Sequence, residues 1–185
     1  MKRVPKESGA MKNILISAFL ELMRQKKYTE ITVTDIVKCA GVSRMAYYRA
    51  FSSKEDILTE YLKRLIAELQ EKIENSSCSE RTSVFRLVFC MIADHREFFR
   101  NMSGVNLQDF IVSDIVKNAY SIAQNFYQCH PYDKRTEYAF YYHIGGLINA
   151  TRMWIESGMH ETVDEMSELI SLFSEGGRAV TLTAG

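Results

Sequence analysis

The sequence predicts an all-α protein in two parts, an N-terminal helix-turn-helix domain over residues 1–53 and a larger helical domain over 54–185. Three observations carry this. Helix breakers are rare, with two prolines (Pro5 and Pro131) and nine glycines in 185 residues. Apolar residues, which make up 46% of the chain, recur three and four positions apart over long stretches. Charge is unevenly shared: residues 1–54 hold eleven Lys/Arg against four Asp/Glu, and residues 55–185 hold twelve against nineteen, although the formal net charge is zero. A basic end beside an acidic remainder is the footprint expected where one end meets a polyanion.

The same reading excludes several classes. No run of about 18 apolar residues exists, so no membrane span is expected. The N-terminal stretch MKRVPKESGAMKN is charged and lacks the apolar core of a secretory signal, so a cytoplasmic location is expected. Cys39, Cys78, Cys90 and Cys129 form no C-x-x-C pair, and Cys129–His130 is the one Cys/His adjacency. They read as ordinary thiols in a reducing compartment, with no metal and no cofactor expected. No Gly-rich phosphate loop, G-x-S-x-G or H-E-x-x-H occurs, and Asp94–His95 alone makes no acid–base site, so the chain is not expected to be an enzyme.

The elements follow in order. A first helix is expected over 11–27, with Ile14, Leu15, Ala18, Phe19, Leu22 and Met23 as its apolar stripe. Thr32 caps a second helix, answered by Asp35 three residues on in a capping-box pattern. Ile36, Val37 and Ala40 face inward, and Gly41 ends the helix by taking the left-handed conformation. Ser43 caps a third, short helix over 44–51. Ser53 and Asp56 make another capping box for a fourth helix reaching Asn75, where a polar stretch interrupts the chain. Further helices are expected at about 80–93, 95–103, 107–129, 134–157 and 161–175, with the tail after Gly176 irregular.

Residues 32–51 have helix-turn-helix spacing: two short helices joined by Ala40-Gly41-Val42-Ser43. In that arrangement the first helix supports the second, whose N-terminal side chains reach the major groove. Arg44 suits guanine or a phosphate. Tyr47, Tyr48 and Arg49 add polar tips, and Lys54 stands at the start of the fourth helix, where free amides also favour phosphate.

Thr32-Val33-Thr34-Asp35-Ile36-Val37, Ala40-Gly41-Val42-Ser43, Tyr48, Phe51, Ser53-Lys54-Glu55 and Leu58 together resemble the tetracycline-repressor (TetR) family, without a gap over residues 10–60. The resemblance implies an all-α homodimer, three N-terminal helices on double-stranded DNA, and a C-terminal domain for ligand binding and dimerisation. It implies phosphate contacts at Thr32 or Thr34, at Tyr48 and at Lys54, and base and backbone readers at Ser43, Arg44, Met45 and Tyr47. Two positions depart from the family pattern. Met45 stands where a small residue is common, and Ala50 stands where a polar residue is common. Met45 offers an apolar surface to a thymine methyl; Ala50 removes one phosphate contact. Three residues keep a second reading: Tyr47 as core, Thr32 as only a cap, and Lys54 as a solvated charge.

In the C-terminal part, Ile144, Leu147, Ile148, Thr151, Trp154 and Ile155 form one apolar stripe, and Met166, Leu169, Ile170 and Phe173 another. Gly145-Gly146 lies within the first, where each mid-helix glycine costs up to about 1 kcal/mol relative to alanine. Close approach of another helix is one reason for them, and a local kink is the other. Gly145 and these two stripes are expected to form the dimer interface, in the manner the resemblance implies. A pocket for a small-molecule effector is expected among Met91, Phe98, Met102, Phe110, Phe126, Tyr127, Tyr141 and His143, each of which also reads as ordinary core. The function expected is a sequence-specific, dimeric DNA-binding regulator, a repressor released by that effector. The alternative is a TetR-like coactivator or protein-interaction module with reduced DNA binding.

Overall fold

In the computed structural model the described residues are 6–75, 81–102 and 134–176. Among them the chain forms eight α-helices, one 3-10 turn and no strand. The helices are α1 Lys6–Gln25, α2 Val33–Ala40, α3 Arg44–Ala50, α4 Lys54–Asn75, α5 Arg81–Asp94, α6 Arg96–Met102, α7 Lys134–Glu156 and α8 Val163–Gly176, and the 3-10 turn is Tyr28–Glu30. The helix expected over 107–129 lies outside the described residues, as do the pocket candidates Phe110, Phe126 and Tyr127. Among the described residues no helix is long and apolar enough to cross a membrane.

The chain divides into two compact units. The first runs to Leu65 and takes in α6 from Glu97; the second runs from Ile66 to Arg96, with α5 within it, and holds α7 and α8. The border expected between residues 53 and 54 coincides with the start of α4. Packing groups the first three turns of α4 with the N-terminal helices, because Ile57, Leu58, Tyr61, Leu62 and Leu65 are buried.

The first unit closes around one face of α1. Leu15, Phe19 and Met23 recur every fourth residue and are buried, and α2 and α3 pack on α1. That face is centred towards Phe19 and Met23. It therefore brings Ile16 in and turns Ile14, expected in the stripe, out into solvent. α1 also starts earlier than expected, at Lys6, and stops at Gln25.

Both expected features of α2 are present. Thr32 and Asp35 form the capping box, and Gly41 takes φ 64°, ψ 30°. The amide of Val42 donates to Val37 O and that of Gly41 to Lys38 O, the paired bonds of a Schellman stop. α4 opens with the expected Ser53–Asp56 reciprocal bonds, at 3.1 and 3.2 Å.

In the second unit α5 packs along α8, and Phe89 of α5 meets Trp154 of α7 edge-on with centroids 5.4 Å apart. Three serines on the buried face of α8, Ser167, Ser171 and Ser174, keep that face slim. Ser167 and Ser174 donate their hydroxyls to carbonyls one turn back, so no polar group there is stranded. α7 stops in a second Schellman arrangement, with Met159 N on Trp154 O, Gly158 N on Ile155 O, and Gly158 at φ 101°. Thr162 and Glu165 then cap α8 reciprocally.

Several residues expected at the dimer interface pack within their own chain. Trp154, Ile155, Met166 and Ile170 are buried within their own chain. The indole N–H of Trp154 is held by Glu161 O at 3.0 Å, and its ring is claimed by Phe89. Ile144, Gly145, Leu147, Ile148 and Thr151 are half-buried, while Leu169 and Phe173 are exposed. The described residues expected to line a pocket fall in both units. Phe98 and Met102 are core residues of the first unit, with Phe98 edge-on to Tyr61 of α4 at 4.9 Å. Tyr141 is exposed, and Met91 and His143 are half-buried in the second unit.

Candidate nucleic-acid interface

The candidate surface is built on α3, a helix of seven residues whose two faces differ completely. Ser43 caps it by accepting from Ala46 N at 3.1 Å. One side chain, Tyr47, points into the unit and is 0% exposed. Around it Ser43, Arg44, Met45, Tyr48 and Arg49 are all exposed, Met45 to 66% and Tyr48 to 55%. Two tyrosines in succession thus have opposite duties. The Tyr47 ring meets Tyr48 edge-on at 5.2 Å, so the buried ring braces the exposed one.

Of its two expected places, among the readers and in the core, the burial of Tyr47 matches the second. Its hydroxyl has no hydrogen-bond partner among the described residues. Burial first, and the charge of Glu55 second, push its ionisation up to about 12. A buried hydroxyl without a partner costs about 1–3 kcal/mol. Tyr47→Phe is therefore expected to raise stability by about 1 kcal/mol, read as a higher urea midpoint with an unchanged slope. A lower midpoint would contradict that assignment.

α2 supports α3 and contributes its own N-terminus. Thr32 is committed to the cap: its amide donates to Asp35 at 2.9 Å, and its hydroxyl both donates to the Asp35 carboxylate and accepts from the Asp35 amide. Lys26 adds an ion pair to Asp35 at 2.7 Å. Lys26 first, and Thr32 after it, hold that carboxyl well below the usual carboxylate range. Thr34 is exposed, and its Oγ1 accepts from Arg44 Nη2 at 2.7 Å.

Lys54 is engaged within the chain. Its ammonium donates to Tyr28 O at 3.0 Å and Ile31 O at 2.9 Å, and it lies 4.3 Å from the centre of the Tyr28 ring. The next residue, Glu55, accepts from the Tyr28 hydroxyl at 2.7 Å. Burial first and Glu55 second raise the Tyr28 ionisation far above its ordinary value. Lys54-Glu55 thus clamps the 28–31 linker to the start of α4 and fixes how α2 leaves α1.

Sequence reasoning missed Asn101 altogether. Its Nδ2 donates to Met23 O at 2.6 Å and Lys26 O at 2.7 Å, and its Oδ1 accepts from Tyr28 N at 2.7 Å. One amide from α6 thereby ends α1 and starts the 3-10 turn. No local pattern announces it, because its partners lie more than seventy residues away. A shallow depression beside Tyr48 and Arg49 mixes Lys12 and Lys63 with Asp56 and Glu60, and Lys12 is already paired to Glu60 at 3.2 Å. Among the described residues no group of three or more His, Cys, Asp or Glu could hold a metal ion.

Comparison with known proteins matches two stretches of the chain. Residues 15–61 match "Bacterial regulatory proteins, tetR family", and residues 79–176 match "Transcriptional regulator C-terminal region". The HTH-type transcriptional regulator EthR of Mycobacterium tuberculosis is 32% identical over 90 residues, 46% of this chain and 42% of EthR. The dhaKLM operon transcriptional activator DhaS of Lactococcus lactis is 33% identical over 64 residues, 35% of this chain and 34% of DhaS. The chain thus spans less than half the length of these curated relatives. A tetR-family transcriptional regulator from Streptomyces coelicolor shares the fold, with a TM-score of 0.72 at 17% identity over 94% of this chain and 85% of that one.

Proposed function

The chain belongs to the TetR family of helix-turn-helix, DNA-binding transcription regulators, and on that premise we propose that it represses transcription as a homodimer on a two-fold operator and leaves the DNA when a small-molecule effector binds its second unit. The observation that carries the DNA-binding part is the division of α3. Arg44, Met45, Tyr48 and Arg49 stand in solvent while Tyr47 alone anchors the helix. A short helix that exposes two arginines, a methionine and a tyrosine has no packing reason for them. A major groove supplies one: arginine suits guanine, methionine suits a thymine methyl, and the tyrosine tip suits a phosphate. Thr34 and Ser43 flank this group at the helix starts.

Dimerisation follows from reach, since one short recognition helix reads few bases and a two-fold pair doubles the site. The surface proposed for it is the exposed side of α7 and α8. Tyr138, Tyr142 and Met153 of α7 and Leu169, Leu172 and Phe173 of α8 are large, apolar and exposed. Gly145 and Gly146 support this reading, because among the described residues a Cβ at either would meet nothing within 4 Å. Nothing described within the chain requires a glycine there, whereas the close approach of a second helix does.

The test is a binding titration of the full chain on the DNA upstream of its own gene at several salt concentrations. Specific binding that weakens steeply with salt is expected, and no retained duplex at low salt would reject the reading. A second reading, a coactivator working through protein contacts, is favoured by Ala50, where the family commonly has a polar contact. One similar protein, DhaS, is named an activator. Reporter output with the gene deleted separates the two: a rise supports repression and a fall supports activation.

A further inference from the structure

We propose that Thr34 is a positioning residue for Arg44, so that two helices rather than one set the base preference of this surface. The inference rests on the DNA-binding reading and deepens it. Arg44 is the first residue of α3, and an arginine there is free to sweep a wide arc, with roughly 2 kcal/mol of side-chain entropy to lose on binding. In this chain it is already held. Its Nη2 donates to Thr34 Oγ1 at 2.7 Å, across the whole turn between α2 and α3. The bond uses one of five guanidinium N–H donors and leaves four for a ligand.

The chemistry of the tether is suited to that task. Threonine is neutral, so it orients the guanidinium without cancelling its charge. It is also β-branched, so its hydroxyl is a stiff anchor. The carboxylate one residue on, Asp35, would hold Arg44 more strongly and neutralise it. It is instead engaged by Lys26 at 2.7 Å and by the Thr32 amide at 2.9 Å. The first turn of α3 contains no acidic residue. Arg44 therefore reaches the exposed surface both charged and aimed, which is the state in which an arginine discriminates between base edges at least entropic cost.

The experiment uses the full chain and the duplex that the wild type selects from a random pool, with single-base-pair changes and a random duplex for comparison. Thr34→Val keeps the shape of the side chain and removes the acceptor. It is expected to lower discrimination by about three- to tenfold at those base pairs where Arg44→Ala also loses it. The thermal midpoint is expected to stay unchanged, and any loss of affinity for the random duplex to be smaller than the loss of discrimination. Thr34→Ser is expected to restore discrimination. In an Arg44→Ala background Thr34→Val is expected to have no further effect. Full discrimination in Thr34→Val overturns the proposal. So does a loss equal on every duplex, or one that adds fully to Arg44→Ala, since either would mean that Thr34 touches the DNA itself. A wild type that selects no duplex overturns the DNA-binding reading, and with it this proposal, by a result the variants do not produce.

Discussion

Asn101→Ala is expected to cost the first unit about 1.5–4.5 kcal/mol, the sum of three lost hydrogen bonds at about 0.5–1.5 kcal/mol each. The substitution removes the two donors that satisfy Met23 O and Lys26 O at the end of α1, and the acceptor that holds Tyr28 N. The last carbonyls of a helix have no partner within it, so a side chain arriving from elsewhere stands in for a cap. α1 carries no glycine at its end to do so locally. The sensitive measurement is amide exchange of the intact chain, where protection at Tyr28 and Ile31 should fall more than protection along α8. Asn101→Asp supplies a check. It keeps an acceptor for Tyr28 N but places a carboxylate beside two carbonyl oxygens, so it should be no better than alanine. Unchanged exchange at Tyr28 in both variants would show that Asn101 does not hold the linker.

Arg44→Ala is expected to cut discrimination between the selected duplex and a single-base-pair variant by about 10- to 100-fold, corresponding to about 1–3 kcal/mol for one well-made base contact. Affinity for random DNA should fall far less, because that affinity is a sum over phosphate contacts in which one charge has a small share. The variant should fold normally, since Arg44 is exposed and its bond to Thr34 joins two exposed groups. Fluorescence anisotropy on matched duplexes at two salt concentrations reads both quantities. Equal weakening on all duplexes, with a shallower salt slope, would reassign Arg44 to the phosphate backbone.

Much of the first unit is legible in the chain because its signals are local. A threonine followed three residues later by aspartate, a glycine after an apolar helix, and a serine three residues before an aspartate each specify a helix end through bonds among near neighbours. Thr32–Asp35, Gly41 and Ser53–Asp56 form as expected. The Thr162–Glu165 box at the start of α8 carries the same kind of signal and was equally readable.

Which apolar residues are buried depends on which way a face turns. Ile14 and Ile16 are chemically identical and flank the same Leu15, yet only Ile16 is buried. Tyr47 and Tyr48 are adjacent and identical, and one is core while the other is surface. Along α7 and α8, apolar residues occur on both sides of each helix. Periodicity marks them all as candidates for burial without saying whether their own chain covers them. Phe89 decides that for Trp154, and nothing described does so for Tyr142.

Composition, spacing and helix-end chemistry by themselves determined an all-helical chain with a helix-turn-helix at its basic end, because those properties act over three or four residues. Only the folded arrangement decided that Lys54 clamps a linker, that Tyr47 is an anchor, that Thr34 holds Arg44 and that Asn101 ends α1. Each of these depends on groups brought together from different helices, and hydrogen bonds between distant segments leave no periodic trace along the chain that makes them.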